Sequence, residues 1–279
     1  MGDCLVIKSQ RIIEGRQVII RRESPKQERI LIYDADKCTG CEACLITCPT
    51  KAIKFGPTGS TIRKIAAAIP SAIDDKDCAL CGICAAVCNF NALTFKINGK
   101  SIDTLEGYAN LSRNITLNEA LCKPLSSEPF KPCTFCADVC PTKAITIETK
   151  PKFLAKIDLQ LCNYCGKCVP PCPTKAIQVQ KPFTGELVID QNICQGCRVC
   201  IDICPAKVLY MPKPAKVGER VDKVALEKDF CIYCNACVQA CPTNAIKMER
   251  KKVGFNPARI GALAKSWNQA FAKLVGEFR

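Results

Sequence analysis

The chain contains no histidine. That single absence excludes His-ligated zinc and haem, Rieske-type centres, Cys-His nucleophile pairs and the commonest general base. Aromatics are scarce, at 6 % with one tryptophan, so an ordinary aromatic-rich core is not expected across the 279 residues. Long apolar runs are missing too. No segment offers about 18 uninterrupted apolar residues, and the opening MGDCLVIKSQRIIEGR meets charge before reaching signal-peptide length. The sequence therefore reads as a soluble, cytosolic chain with no membrane span. Neither GxGxxG nor GxxxxGK[ST] occurs, which removes the usual nucleotide loops.

What the chain has in abundance is cysteine. Its 25 cysteines are roughly a tenth of the residues, a level that marks a disulfide scaffold or a metal protein. In a reducing cytosol such density belongs to metal binding or catalysis rather than to disulfides. The stretch CTGCEACLITCPTKAI, from Cys38 to Ile53, spaces four cysteines by three, three and four and follows them with Pro49. It returns as CALCGICAAVCN from Cys78, CNYCGKCVPPCP from Cys162, CQGCRVCIDICP from Cys194 and CIYCNACVQACP from Cys231. A further copy, CTFCADVCPTKAI, supplies Cys133, Cys136 and Cys140, but Phe130 stands where its leading cysteine belongs.

The flanks locate the missing member. In the five regular copies an apolar residue and then an acid precede the first cysteine by five and four positions: Tyr33-Asp34, Ile73-Asp74, Ile157-Asp158, Ile189-Asp190 and Leu226-Glu227. Leu117-Asn118 holds the same offsets before Cys122, which makes Cys122 the displaced first ligand, with KPLSSEPFKP inserted after it. Six sets of four result. Cys4 is left over and reads as a stray thiol near a terminus.

The run CxxCxxCxxxCP is the pattern of bacterial two-cluster ferredoxins, in which the fourth cysteine ligates the neighbouring cluster. Three thiolates two residues apart line one loop around a [4Fe–4S] cube, and the fourth, about one helical turn on, faces away. The proline after it, at Pro49, Pro141, Pro173, Pro205 and Pro242, ends that turn by withholding a backbone donor; Asn89 takes its place in the second copy. Six [4Fe–4S] clusters are expected. Their ligands are Cys38, Cys41, Cys44 and Cys88; Cys78, Cys81, Cys84 and Cys48; Cys122, Cys133, Cys136 and Cys172; Cys162, Cys165, Cys168 and Cys140; Cys194, Cys197, Cys200 and Cys241; and Cys231, Cys234, Cys237 and Cys204. Zinc is the competing reading, but zinc sites pair CxxC dyads across a long spacer and do not call for three cysteines in one loop.

Each copy reads as a short strand, a cysteine loop, one or two helical turns and a second short strand such as 52–55 or 144–147. Two copies make a βαββαβ module, so the fold class is α+β: tandem bacterial-type two-cluster ferredoxin modules at 30–97, 98–181 and 182–250. A nested order, with the fourth and fifth copies paired inside and the third closing on the sixth, stays open. Half-modules of this size bury too little apolar surface to fold alone, so the metal–thiolate cage replaces a core and the iron-free chain is expected to be largely unfolded.

Outside the repeats, residues 1–29 read as a hairpin, RII-EGRQ-VII, and 251–279 as an amphipathic helix. Asn256 and Pro257 suit its N-cap and first position, and Ile260, Leu263, Trp267, Phe271, Leu274 and Phe278 recur at steps of three or four. It docks on its own modules, clips into a partner through Trp267, or lies on a membrane surface. The run IRKIAAAI within 56–72 reads as a short helix, and 98–116 as a polar connection with no inferred task.

The formal charge of +14 invites a nucleic-acid reading. It counts neither thiolates nor iron. With six oxidised clusters bound, the net charge falls to about +2, with basic tails around an acidic body, and no stacking platform or zinc finger supports nucleic-acid binding.

Clusters held by four cysteines offer no open iron site to a substrate, so the chain is expected to be a non-catalytic electron carrier. As a whole it resembles an archaeal polyferredoxin. The stretch KFGPTGSTIRKIAAAIPSAIDDKDCALCGICAAVCNFNALTFKINGKSI resembles the polyferredoxin subunit of formylmethanofuran dehydrogenase. That resemblance implies a tungsten or molybdenum enzyme of methanogenic archaea that reduces CO2 to formate and passes it to methanofuran. The polyferredoxin would feed it low-potential electrons drawn from a heterodisulfide reductase assembly or other ferredoxins. Members of that family usually carry eight motifs, where this chain has six. The rival classes are an electron-transfer subunit of a hydrogenase or other oxidoreductase, and a cluster-stabilised binding scaffold.

Overall fold

Alternation at Val18 and Ile20, at Leu31 and Tyr33, and at Leu93, Phe95 and Ile97 turns one face of three strands inward. In the computed structural model, which describes residues 8–56, 71–122, 133–150, 153–257 and 263–278, these strands are the middle of a five-stranded antiparallel sheet. Lys8–Glu14 forms one edge and Lys100–Ser101 the other. The hairpin expected at 1–29 is thus one corner of a larger sheet. Its neighbour Gln27–Asp34 runs across residue 29 and pairs Arg29–Tyr33 with Ile97–Leu93, because QERILIYD carries the two-residue alternation straight up to the first cysteine loop. Cys4, the helix read in IRKIAAAI (62–69), the insertion KPLSSEPFKP (123–132) and Ile260 lie outside the described residues.

Three units of similar plan follow one another. In the first, Gln27–Asp34 pairs with Leu93–Ile97 and Ile53–Phe55 with Ser71–Ile73. In the second, Asn114–Leu117 pairs with Ile177–Gln180 and Ile145–Glu148 with Leu154–Ile157. In the third, Phe183–Ile189 pairs with Ile246–Val253 and Leu209–Tyr210 with Ala225–Leu226. Every one of these pairs joins consecutive cysteine copies.

Between strands, five copies form the expected short helix, at Ala43–Thr47, Ile83–Ala86, Phe135–Asp138, Val199–Ile203 and Ala236–Ala240. The copy CNYCGKCVPPCP makes turns instead. Pro170 and Pro171 remove two backbone donors in succession, which denies the helix its hydrogen bonds.

The C-terminal segment departs from a continuous helix. A helix spans Leu263–Ala272; Gly276, at φ 128°, then breaks the three-four rhythm, and Gly276–Phe278 becomes a strand against Met248–Arg250. Phe278 is therefore a strand residue. Asn256 is not part of the helix either: Phe255–Asn256 pairs with Asn110–Leu111, and the Asn256 amide donates to Asn110 Oδ1 at 2.9 Å. Trp267 and Phe271 are fully buried in the first unit's core, Trp267 edge-on to Tyr108 at 5.4 Å and Phe271 stacked on Phe255 at 4.7 Å. Of the three docking modes, the helix takes the one against its own chain, with Tyr108 of the 98–116 connection set against Trp267.

Candidate metal centres

The thiols gather in fours. Cys122, Cys133, Cys136 and Cys172 line a pocket whose empty space, open solvent included, is ≈ 390 Å³; Cys48, Cys78, Cys81 and Cys84 one of ≈ 350 Å³; Cys194, Cys197, Cys200 and Cys241 one of ≈ 330 Å³; and Cys140, Cys162, Cys165 and Cys168 one of ≈ 300 Å³. Cys44 has Cys41, Cys38 and Cys88 as charge neighbours, and Cys237 has Cys234, Cys231 and Cys204. In all six groups three thiols come from one copy and the fourth from the copy paired with it.

Backbone conformation explains how so short a loop surrounds a cavity. The second residue after the leading cysteine is left-handed at Gly40, Leu80, Tyr164, Gly196 and Tyr233, and so is the fourth at Glu42, Gly82, Gly166, Arg198 and Asn235. Repeated left-handed residues turn successive N–H groups inward, forming a concavity suited to negative charge. The amides of Leu80, Gly196 and Tyr233 accordingly donate to the sulfurs of Cys78, Cys194 and Cys231 at 3.4–3.5 Å. At the displaced copy Thr134 is right-handed at φ −115°, so that cradle is built differently.

The fourth cysteine has its own support. Lys51, Asn91, Lys143, Lys175, Lys207 and Asn244, each three residues after it, are all left-handed and turn the chain into the next strand. The amides of Ala144, Ala176 and Ala245 donate to Cys140, Cys172 and Cys241 sulfurs at 3.3 Å, and the Thr142, Thr174 and Thr243 hydroxyls lie 3.6–3.7 Å from the same sulfurs. Nothing in the cysteine spacing pointed to these groups. The recurring Thr two residues after Cys was the available signal.

The flanking acid also has a structural task. The carbonyl oxygens of Asp74, Asp158 and Asp190 accept the N–H of Cys78, Cys162 and Cys194, and their carboxylates accept from the amide two residues on. Asn118 does the same: its carbonyl accepts from Cys122 N–H at 3.1 Å and its Oδ1 from Ala120 N–H at 3.0 Å. The offset that singled out Cys122 is the mark of this turn.

Burial pushes the thiols up: Cys41 and Cys168 to about 12, and Cys136, Cys200 and Cys231 to about 11, with neighbouring thiols adding to the rise. Cys44, Cys84, Cys234 and Cys237 are likewise raised well above the usual thiol range by the same causes. At Cys172 and Cys241 burial is outweighed by hydrogen bonds from Thr174 and Thr243 and nearby amides, and both thiols are lowered. Buried, crowded thiols ionise only when a cationic group shares the cavity. Among the described residues no three Cys, Asp or Glu side chains converge on a single ion. Four thiols ringing an apolar cavity instead fit a group larger than one ion, with all-sulfur ligation, as a [4Fe–4S] cluster requires.

The three units meet through polar contacts. Asn89, buried, donates to Asn163 carbonyl at 3.2 Å, and Asn163 in turn donates to Pro205 carbonyl at 2.7 Å, linking first, second and third units. Cys41 of the first unit and Cys234 of the third are charge neighbours.

These features define an iron–sulfur protein of ferredoxin type. A model of the 4Fe-4S dicluster domain matches residues 37–92, 131–176 and 193–245, and a second 4Fe-4S dicluster model matches 154–205. A chain of the formate dehydrogenase, heterodisulfide reductase and formylmethanofuran dehydrogenase complex of Methanospirillum hungatei is similar at 32 % identity and TM-score 0.78, over 95 % of this chain and 91 % of that one. No curated protein matches the sequence. The chain belongs to the 4Fe-4S dicluster domain family, as a polyferredoxin that resembles this component of the Methanospirillum assembly. Among the described residues no helix is long and apolar enough to cross a membrane.

Proposed function

We propose that the chain holds six [4Fe–4S] clusters, one in each group of four cysteines, and is the electron-transfer subunit of a complex in which formylmethanofuran dehydrogenase reduces CO2 during methanogenesis. The observation that carries this reading is the exchange of the fourth thiol between paired copies, repeated in all six groups, in a chain that aligns over 95 % of its length with a component of such an assembly. When bound, a [4Fe–4S] cluster takes up and returns one electron.

The protein's part is to hold, space and insulate. Each group supplies four thiolates and leaves no ligand position for a substrate, which makes the chain a carrier rather than a catalyst. Cys84 neighbours Cys44, and Cys200 neighbours Cys237, so in the first and third units the two groups are adjacent. In the second, Cys136 and Cys168 share one core. The inner groups, those of Cys41, Cys165 and Cys234, belong to the three units that meet at Asn89 and Asn163. A junction with three outer groups describes this better than a line with two ends. Tungsten or molybdenum formylmethanofuran dehydrogenase subunits would receive electrons at one outer group, and a heterodisulfide reductase assembly or other ferredoxins would deliver them at another.

Mass spectrometry with metal analysis of the complex that copurifies under strict anaerobiosis tests this. Recovery with a molybdopterin-type catalytic subunit and tungsten or molybdenum supports it; recovery with a nickel–iron hydrogenase, or without any redox partner, contradicts the named assembly.

A further inference from the structure

Among the described residues, each seam between units holds a cation that reaches cysteine groups on both sides. At the first–third seam, Arg250 is 0 % exposed; its Nε donates to Tyr233 carbonyl at 2.7 Å and its Nη2 to Cys234 carbonyl at 2.8 Å, while the guanidinium lies 4.7 Å from the centre of the Phe183 ring. Gly185 stands opposite Arg250 in the strand pair, where a Cβ would come within 2.0 Å of Glu249 carbonyl. The close approach of these two strands fixes Arg250 against the loop. Its charge acts on Cys41 across the seam and on Cys234 beside it.

At the second–third seam, Lys181 Nζ donates to Cys231 carbonyl at 3.2 Å and to Asp229 carbonyl, and its charge acts on Cys165 as well as Cys231. Nearby Lys167 also faces Cys165, but it is paired with Glu227 at 2.7 Å. At the first–second seam, Arg113 donates to Cys88 carbonyl at 3.3 Å, to Asn89 and to Asn91, lies 5.1 Å from the centre of the Tyr164 ring, and acts on Cys162. Cations near the outer groups behave differently: Arg22 donates to Cys78 carbonyl with Asp75 close by, and Lys223 reaches Cys194 carbonyl from the exposed surface. Neither is placed between two groups.

We infer that Arg113, Lys181 and Arg250 are positioning residues that set the reduction potentials of the three inner centres in overlapping pairs and hold those like-charged centres together. This rests on the cluster assignment proposed above. With iron bound, each group carries about −2, and each reduction adds another negative charge, so facing groups repel. A fixed cation between them offsets that repulsion and favours the reduced form on both sides, most strongly where solvent is excluded.

The pairing gives the test its discrimination. Arg250→Gln, Lys181→Gln and Arg113→Gln are made in the full, iron-loaded chain, and midpoint potentials are followed by electron paramagnetic resonance during redox titration. Each variant is expected to shift two centres to more negative potential, by about tenfold in the reduction equilibrium or about 59 mV. Across the three variants, three centres move twice and three do not move. Arg250→Lys, which keeps the charge, returns both midpoints most of the way to the wild-type values. Unmoved midpoints, a single moved centre, or an equal shift of all six overturns the inference. Should Arg250→Gln fail to retain iron, the half-buried Lys181 and Arg113 variants decide by the same criterion. A wild-type chain without iron overturns the cluster assignment and this inference together, whereas full iron with unmoved midpoints overturns this inference alone.

Discussion

Cys88 lies against Cys41 and Cys44 of the preceding copy, while Cys48 of that copy joins Cys78, Cys81 and Cys84. The two halves of the first unit thus close each other's cavities. A Cys88→Ser substitution should disturb the centre of Cys38, Cys41 and Cys44. Adding Cys41→Ser to it should disturb no second centre, whereas adding Cys81→Ser should disturb two, because coupled sites are non-additive and separate ones add. Counting perturbed signals by electron paramagnetic resonance checks this, and two lost centres in Cys88→Ser with Cys41→Ser would count against the exchange.

Asn118 closes the turn before Cys122 with both its carbonyl and its side chain. Removing the side-chain acceptor in Asn118→Ala should cost about 1 kcal/mol and loosen iron at the group of Cys122, Cys133 and Cys136. Asn118→Asp should be tolerated, since Asp74, Asp158 and Asp190 do the same work elsewhere. Thermal melts with iron retention after chelator challenge read both effects.

Iron removal should not unfold the chain evenly. The second unit's buried cluster is small, with Ile145, Ala155 and Ile177 beside two cysteines, whereas the first unit adds a five-stranded sheet and the docked helix. Hydrogen exchange after chelation should lose protection first across 114–117 and 145–180, and last across 17–34, 93–97 and 267–274. Simultaneous loss everywhere would show that the cages alone hold all three units, as the sequence reading of a largely unfolded iron-free chain expects.

Trp267 is buried against Tyr108 in the first unit. Trp267→Ala should cost about 3–5 kcal/mol of first-unit stability. Circular dichroism melts and iron content read it; intact stability with loss of a partner would instead favour the clip. Deleting 256–279 should have the same destabilising effect.

The sequence made the cysteine sets legible because ligand spacing is local, and Asn118 exposed the displaced Cys122 because its turn is local as well. The extent of the first sheet was less legible: RII-EGRQ-VII ends where a turn is obvious, but the continuation through Gln27–Asp34 depends on pairing with Leu93–Ile97. Phe278 kept helical spacing across Gly276, and only the strand Met248–Arg250 gives it another partner. Arg113, Lys181 and Arg250 carry no sequence signal at all. Their positions are set by which units abut, and a basic residue in a basic chain does not announce a seam.

The most direct test of the account is iron, sulfide and zinc analysis of the anaerobically purified full chain, with spin quantitation after stepwise reduction. The account predicts about 24 irons with matching sulfide, negligible zinc and six one-electron centres. Stoichiometric zinc, or iron without labile sulfide, would contradict it.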